Sequence, residues 1–342
     1  MRLEIHHWIP HHNMIIFSCF YFCQENNIEF DIQMNPAVSW NGVVLYFNNF
    51  TYYLDYSDDS SFLDDPKKYH YYFKRSLRIS DVKENVYPLN FQANYSYKSL
   101  FLLTKFKGND LVNKANRIEI IRSLDYFNAF TNSSHNAMDI RKLPKNVSDN
   151  QGRVIFYTRL WNPDNHIDPD EKERRRLQNE FRIESCRIIK KHFEKVLVGL
   201  FPDGLSSKLA PDLLLDAKQT SIKEYYKVLK KSDIGIADDG LKDTPGWKIG
   251  EYLLFGKAVI STPLNVAVDN FEEHINYEKL SSRSSYLELP DKIDYLLKDK
   301  KYLEMGNNNL NWSNEYLHPK NYIKRIFSVT KNSNHPFFDC NF

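Results

Sequence analysis

The segment from Asp243 to Pro263, DTPGWKIGEYLLFGKAVISTP, carries Lys248 and Glu251 shortly before an apolar run. Lys248 and Glu251 are three residues apart, so on a helix they lie about one turn from each other on the same face. A helix N-terminus offers free N–H groups and the positive end of its dipole, which together favour a phosphate. A carboxylate one turn later can accept hydrogen bonds from sugar hydroxyls. The pair therefore predicts a site for a nucleotide sugar.

Two buried strands and one helix are expected to position these side chains. DIGIA, Asp233–Ala237, predicts a strand, and Asp238–Gly246 predicts the loop at its carboxyl end. A short helix is predicted over Trp247–Phe255, with Gly256 ending it before the next buried strand. Ligands of α/β sheets bind outside the carboxyl ends of the strands, where such loops gather. The residues predicted here to bind the donor are Gly246, Trp247, Lys248 and Glu251.

The rest of the second half alternates apolar strands with helices. The predicted strands are RVIFYT (Arg153–Thr158), VLVGLF (Val196–Phe201) and AVIST (Ala258–Thr262). Helices are predicted over Glu171–Glu194 and Ile222–Lys230. Strands that are apolar throughout indicate a parallel sheet that is covered on both faces. The second half is therefore predicted to be a doubly wound α/β domain.

The first half opens with a βαβ pattern. Strands are predicted at Arg2–His6 and Ile28–Gln33, and Asn13 is expected to cap the apolar helix between them. Two aromatic and β-branched runs, Val43–Phe47 and Thr51–Tyr56, predict further strands. The fold class predicted for the first half is therefore also α/β.

Length and composition fit this layout. The chain has 342 residues, of which 42% are hydrophobic and 26% charged, as expected for a soluble globular protein long enough for two domains. The boundary is predicted in the polar, Pro-containing stretch 132–152. We therefore predict a first domain over residues 1–145, a second over 152–310, and a C-terminal helical tail over 311–342.

Charge and cysteine content exclude several classes of function. A formal net charge of +2 gives no overall attraction to nucleic acid. The four cysteines form neither a metal-binding pattern nor a disulfide framework, which fits a reducing cytoplasm. The most apolar early run, Met14 to Cys23, is too short to span a bilayer, so neither a secretion signal nor a membrane span is expected.

The segment KIGEYLLFGKAVIST is similar to a donor-site signature of bacterial GT-B glycosyltransferases, including those related to exostosins, in which a lysine and a glutamate precede GKPVI. The resemblance covers mainly residues 153–264. It implies two Rossmann-like domains that face each other across a cleft, with Glu251 holding the donor ribose. The sequence YTRLWNP resembles the strand end that presents an arginine to the donor diphosphate, which is Arg159 here. The tail resembles C-terminal helices that often cross back to the first domain.

The chain also departs from that family pattern. Many retaining members carry two glutamates separated by seven residues, but the first of these positions is Asp243 here. The first strand is followed by HHWIPHHN instead of a Gly-rich loop, so the acceptor chemistry cannot be carried over. The stereochemical outcome of the reaction is therefore left open.

The resemblance implies a bacterial glycosyltransferase of the hexosyl- or deoxyhexosyltransferase class. It would move a sugar from a nucleotide-diphospho sugar to a hydroxyl of a surface polysaccharide, O-antigen or lipid-linked glycan. We expect no cofactor, no metal and no nucleic-acid partner, and a cytoplasmic location in which peripheral association with the inner membrane is left open. Two alternatives remain: a GT-B-fold sugar-nucleotide epimerase, and a non-catalytic module that binds sugar or nucleotide.

The first half offers candidates for the acceptor side. An inverting enzyme needs a base that deprotonates the acceptor, and the candidates are Asp55, Asp58, Asp59 and His12, with Asp243 as a further catalytic candidate. Lys74 and Arg75, in YYFKRSLR, are candidates to meet the acceptor or a phosphate, although a half-buried strand with both cations at its end is the favoured explanation of this segment. The histidines that follow the first strand lack a distant Cys/His set, so no zinc site is predicted. One of His11 and His12 is still expected to line the cleft.

Overall fold

The computed structural model describes residues 1–96, 100–124, 137–240, 242 and 244–328. Within them the chain forms two main β-sheets, one from each half of the sequence. Each sheet is packed against helices, so the predicted α/β class is confirmed. The described helices include none that is long and apolar enough to cross a membrane.

The first sheet has six strands in the order β2-β1-β3-β4-β5-β6. They are β1 (Arg2–Ile5), β2 (Asp31–Met34), β3 (Gly42–Phe47), β4 (Phe50–Asp55), β5 (Tyr71–Lys74) and β6 (Val86–Pro88). Helix α1 (Asn13–Glu25) connects the parallel pair β1 and β2, as the βαβ pattern predicts. The pairs β4–β5 and β5–β6 are also parallel.

An antiparallel hairpin interrupts this parallel pattern, so the first sheet is mixed. Strands β3 and β4 pair from Gly42 with Asp55 to Phe47 with Phe50, and β3 also runs antiparallel to β1. The two loop residues, Asn48 and Asn49, have φ values of 50° and 66°. Two-residue hairpin loops require positive φ, which asparagine tolerates better than most residues.

The second sheet has five parallel strands in the order β10-β9-β11-β12-β13. They are β9 (Val154–Thr158), β10 (Val196–Leu200), β11 (Ile234–Ala237), β12 (Ala258–Ser261) and β13 (Glu278–Lys279). The helices around it are α4 (Pro169–His192), α5 (Gly204–Leu209), α6 (Ile222–Lys230), α7 (Trp247–Leu254), α8 (Leu289–Leu297) and α9 (Lys301–Tyr316). This is a doubly wound order, and its direction reverses between β9 and β11. A crevice therefore opens at the carboxyl ends of these two strands.

The remaining elements join the two halves. They are α2 (Gly108–Val112), α3 (Lys114–Leu124), the short strands β7 (Tyr95–Ser96) and β8 (Met138–Asp139), and α10 (Pro319–Ser328). Helix α10 packs on α1 of the first half, where Phe327 stacks on Phe47 and the hydroxyls of Tyr322 and Tyr56 lie 3.0 Å apart. The end of the described chain therefore returns to the first sheet.

Helix α7 is wedged between the two halves. A Cβ atom at Gly250 would collide with the backbone oxygen of Gln92. Glycine at this position therefore lets the helix backbone approach the first half directly. The hydroxyl of Tyr226 also donates to the backbone oxygen of Asn94 at 3.2 Å. Helices α6 and α7 of the second half thus contact the backbone of the first half directly.

Candidate functional site

A cavity of about 490 Å³ lies at the carboxyl ends of β9 and β10, beside the first turns of α7. The structure brings four of the five predicted donor-binding residues together in its wall: Arg159, Trp247, Lys248 and Glu251. The fifth, Gly246, is the N-cap residue of α7 and, as a glycine, provides no side chain to cap the helix. The first turn of α7 therefore presents N–H groups that a ligand can use.

Arg159 directly follows β9, and its guanidinium lies over the Phe201 ring, 4.7 Å from the ring centroid. Its backbone oxygen accepts a hydrogen bond from Arg182, whose Nε donates to Asp238 at 2.6 Å. In the part of the chain that the structure describes, Arg159 itself makes no ion pair with an acidic side chain. Its charge is therefore free to meet an anionic ligand.

Lys248 lies in the first turn of α7, among other charged side chains. Burial and the nearby Arg182 lower its pKa to about 8, while Asp238 and Glu251 act in the opposite direction. A cation that is destabilised in this way gains from a bound anion, because the anion offsets both the burial and the neighbouring positive charge. Arg159, Lys248 and the first turn of α7 thus place positive charge along one wall of the cavity.

Glu251 lies one turn further along α7 and is 9% exposed. The hydroxyl of Tyr225, in α6, donates to its Oε2 at 2.8 Å. Burial raises the pKa of Glu251, although this hydrogen bond and Lys248 lower it. The carboxylate keeps further acceptor capacity, which suits the hydroxyls of a sugar ring.

Sequence reasoning missed several residues of this cavity. Thr158, the last residue of β9, is 4% exposed, and its hydroxyl has no hydrogen-bond partner among the described residues. A buried hydroxyl without a partner is unfavourable, so a ligand here would stabilise it. Its position beside Arg159 is a signal that the sequence offered. Tyr225 gave no such signal, because only the packing of α6 against α7 brings it to Glu251.

Asp55 and Lys74 do not face this crevice. Their side chains are fully buried and form an ion pair at 3.0 Å. Asp55 also accepts hydrogen bonds from the Ser57 hydroxyl at 2.6 Å, the Tyr72 hydroxyl at 2.7 Å and the backbone N–H groups of Ser57 and Leu63. Neither the predicted base Asp55 nor the predicted acceptor ligand Lys74 is accessible to a substrate, because the two side chains pair with each other inside the first half of the molecule.

His12 is likewise enclosed. It is 0% exposed, its Nδ1 lies 3.2 Å from the His7 backbone oxygen, and burial lowers its pKa to about 3. The structure therefore does not place His12 where it could act as a base on a substrate. His11 is the histidine that reaches the domain interface, with its ring centroid 4.7 Å from that of Trp247.

Gln92 holds the His11 ring in one orientation. Its Nε2 donates to the His11 backbone oxygen at 3.3 Å, and its Oε1 lies 3.1 Å from His11 Nδ1. Because a carbonyl oxygen only accepts, this arrangement favours the tautomer with hydrogen on Nδ1 and a lone pair on Nε2. Burial and the nearby Arg75 lower the pKa of His11 to about 4, so the neutral ring prevails near neutral pH.

Arg75 and the remaining acids lie at the same interface. Arg75 pairs with Asp58 and donates from its second guanidinium nitrogen to the Pro245 backbone oxygen at 2.9 Å. It is 5% exposed, so it ties the two halves together. Asp59 pairs with Lys242 at 2.5 Å. Asp243 lies outside the described residues.

In the described ranges, no group of three or more histidine, cysteine, aspartate or glutamate side chains is arranged to hold a metal ion. The predicted independence from metal remains a prediction.

No protein-family model matches the sequence, and the search of curated proteins gives no match. Solved structures do match. A glycosyltransferase from Rickettsia africae is 12% identical with a TM-score of 0.43, covering 95% of this chain and 82% of its own. The C-terminal domain of a glycosyl transferase group 1 family protein (LpcC) from Francisella tularensis is 15% identical with a TM-score of 0.35, covering 47% and 83%.

The pneumococcal O-GlcNAc transferase GtfA, solved with UDP and GlcNAc, is 15% identical with a TM-score of 0.33, covering 65% of this chain and 44% of its own. With TM-scores below 0.5, these similarities do not assign an activity to the chain. The architecture itself, two α/β halves each built on its own sheet, agrees with the GT-B arrangement that the sequence resemblance implies.

Proposed function

We propose that the protein is a glycosyltransferase that uses a nucleotide-diphospho sugar. The observation that carries this proposal is that one cavity joins a positively charged wall to a carboxylate. Arg159, Lys248 and the first turn of α7 would bind the diphosphate. Glu251, oriented by Tyr225, would bind the ribose, and the aromatic and aliphatic wall that includes Phe201 and Ile222 would pack on the base.

In the proposed reaction, an acceptor hydroxyl oxygen attacks the anomeric carbon while the bond from that carbon to the diphosphate breaks. The leaving nucleoside diphosphate takes the bonding electrons. Arg159, Lys248 and the α7 N–H groups stabilise the negative charge that develops there, which is the electrostatic role that a metal ion plays in other transferases. Closure of the two halves over the donor would exclude water, which would otherwise hydrolyse it.

His11 is the base that we propose for an inverting reaction. Its Nε2 lone pair would take the proton from the acceptor hydroxyl, while Gln92 keeps Nδ1 protonated. Asp58, 33% exposed but paired with Arg75, is a second candidate on the same side of the interface. A retaining reaction needs no such base. The stereochemistry of the product therefore also shows whether a base such as His11 is required.

The His11 role is tested by His11→Phe, which keeps a ring against Trp247 but removes the lone pair. We expect kcat to fall by about 10²–10⁴-fold, while the affinity for the donor stays unchanged. Gln92→Glu, which can still accept from Nδ1, should retain more activity than Gln92→Leu. Full activity in His11→Phe would exclude His11 as the base and would favour a retaining reaction.

We propose as the acceptor a hydroxyl of a surface polysaccharide, O-antigen or lipid-linked glycan, held by the first domain, and a cytoplasmic location. The donor sugar would be a hexose or deoxyhexose. The deciding experiment incubates the protein with a panel of UDP- and GDP-sugars and glycan acceptors. Free nucleoside diphosphate together with an extended acceptor supports the proposal. A new sugar nucleotide without acceptor transfer would instead identify an epimerase, and binding without turnover a non-catalytic module.

A further inference from the structure

The first domain carries exposed apolar side chains that the proposed reaction does not use. Among the described residues, twelve large hydrophobic side chains are exposed, and four of them fall within 21 consecutive positions, from Phe101 to Ile121. They are Phe101 (71% exposed), Val112 (78%), Ile118 (37%) and Ile121 (48%). Single exposed hydrophobic residues are ordinary, but a local concentration on one segment indicates an interaction surface.

Helix α3 has two distinct sides. Ile120 and Leu124 are buried in the main core. Lys114, Ile118, Ile121 and Arg122 are exposed, and their spacing of three and four residues places them on a common outward side. The helix therefore presents apolar side chains to solvent between two cations, although its opposite side already supplies its packing against the domain.

The exposed charges of this segment are mostly positive. Lys107, Lys114, Arg117 and Arg122 are exposed, and the described residues include no ion-pair partner for any of them. Both acids of the segment are used elsewhere: Asp110 accepts from the Met34 backbone N–H at 3.1 Å, and Glu119 lies 4.0 Å from His7. Burial raises the pKa of Glu119. The outward charge is therefore positive.

We propose that these eight residues form a docking surface for a membrane that contains anionic lipids. The 101–122 surface consists of Phe101, Val112, Ile118 and Ile121 together with Lys107, Lys114, Arg117 and Arg122. Apolar side chains that enter the acyl boundary, surrounded by cations that meet anionic headgroups, are the combination that interfacial helices use. A nucleic acid would bind to the cations alone, and the apolar side chains would remain exposed to water.

The position of the surface connects it to the proposed reaction. Phe106 stacks on Trp8 with the ring centroids 5.6 Å apart, and Trp8 belongs to the loop that leads to His11. The backbone N–H of Lys107 donates to the Ile32 oxygen of β2 at 3.3 Å. A membrane on the 101–122 surface would thus lie next to the acceptor side of the cleft. This consequence, though not the docking itself, depends on the proposed function, and it favours a lipid-linked acceptor.

The test is flotation of the full-length protein with vesicles of phosphatidylcholine alone or mixed with phosphatidylglycerol. We expect binding to the mixed vesicles that weakens as salt is added, and much weaker binding to phosphatidylcholine alone. Ile118→Glu with Ile121→Glu should abolish binding. The matched controls, Ile167→Glu and Leu287→Glu in the second domain, should bind as the unchanged protein does.

Charge is tested separately. Lys114→Gln, Arg117→Gln and Arg122→Gln together should weaken binding on the order of 100-fold, since each basic side chain near an anionic surface contributes roughly fivefold. The control replaces the exposed Lys191, Lys218 and Lys223 with Gln and should leave binding unchanged. Thermal unfolding of every variant confirms that it is folded.

Absence of binding to either kind of vesicle overturns the proposal, as does equal loss in the surface and control variants. A dimer that Ile118→Glu with Ile121→Glu disrupts, in a protein that ignores vesicles, would make the surface a self-association interface and would also overturn it. Nucleotide binding, measured by calorimetry without vesicles, reports on the proposed function independently, so the two can fail separately.

Discussion

Lys74 and Arg159 are both cations at the end of a strand, yet the two halves of the molecule use them differently. Lys74 is the last residue of β5, and its fully buried side chain forms an ion pair with Asp55. Arg159 directly follows β9 and lines a cavity, and among the described residues it has no acidic partner. The residue type and its place in the strand pattern are similar. The difference shows that pairing inside the protein, rather than position at a strand end, separates a structural cation from a ligand-binding one.

The largest effect that this comparison predicts is on stability. Asp55→Ala removes the partner of the buried Lys74, so we expect the free energy of unfolding to fall by about 3–5 kcal/mol. Chemical denaturation measures the change, and Glu84→Ala, at an exposed position of the same domain, is the control. Asp55→Leu combined with Lys74→Met should be less destabilising than Asp55→Ala. A stable Asp55→Ala protein that has lost transferase activity would support Asp55 as a catalytic base. It would contradict a purely structural role for the Asp55–Lys74 pair.

Arg159→Ala is expected to lower activity but leave stability almost unchanged, the reverse of Asp55→Ala. Loss of a positioned charge that stabilises the leaving diphosphate should lower kcat by about 10²–10³-fold. The free energy of unfolding should change by less than about 0.5 kcal/mol, because no ion pair is lost. Arg176→Ala, on the exposed side of α4, is the matched control. A strongly destabilised Arg159→Ala protein would show that Arg159, like Lys74, is structural.

Glu251→Ala should weaken the binding of a nucleoside diphosphate without unfolding the protein. A hydrogen bond to a charged group contributes about 1.5–3 kcal/mol, so calorimetry should show affinity reduced roughly 10- to 100-fold. Tyr225→Phe should reduce the affinity less, since it removes only the hydrogen bond that orients the Glu251 carboxylate. Glu224→Ala, on the exposed side of α6, should bind normally. Unchanged affinity in a folded Glu251→Ala protein would remove Glu251 from the donor site.

The two histidines predict a smaller, pH-dependent effect. Burial lowers the folded-state pKa of His11 to about 4 and of His12 to about 3, below the value of about 6.5 expected in the unfolded chain. Acid therefore protonates the unfolded state first. The stabilisation is complete above pH 6.5 and is lost as the pH falls toward these folded-state values.

Each histidine should contribute about 1.5–2 kcal/mol to the loss of stability between pH 6.5 and pH 5. Urea unfolding at the two pH values measures it. His12→Gln should show a shallower dependence than the unchanged protein, whereas His192→Gln, at an exposed position, should not. Identical pH dependence in His12→Gln would mean that His12 is not held neutral in the folded protein.

The sequence predicts the second domain well because its signals are local. The helix α4 predicted over 171–194 is observed at Pro169–His192, and α7 and its flanking strands lie where apolar runs and the Gly256 cap place them. The strand pairing of the first half is harder to predict from the sequence. The apolar runs show the strands of β3 and β4, but the direction of pairing depends on the Asn48–Asn49 turn.

By itself, the sequence determined the helix that carries Lys248 and Glu251 and the strands around it, because periodicity and caps act over a few residues. Only the tertiary structure decided that Tyr225 reaches Glu251, that Asp55 and Lys74 neutralise each other, and that His11 rather than His12 meets Trp247. These outcomes depend on burial and on partners distant in sequence. Neighbouring residues such as His11 and His12 differ in environment although their local sequence is nearly the same, so no local pattern distinguishes them.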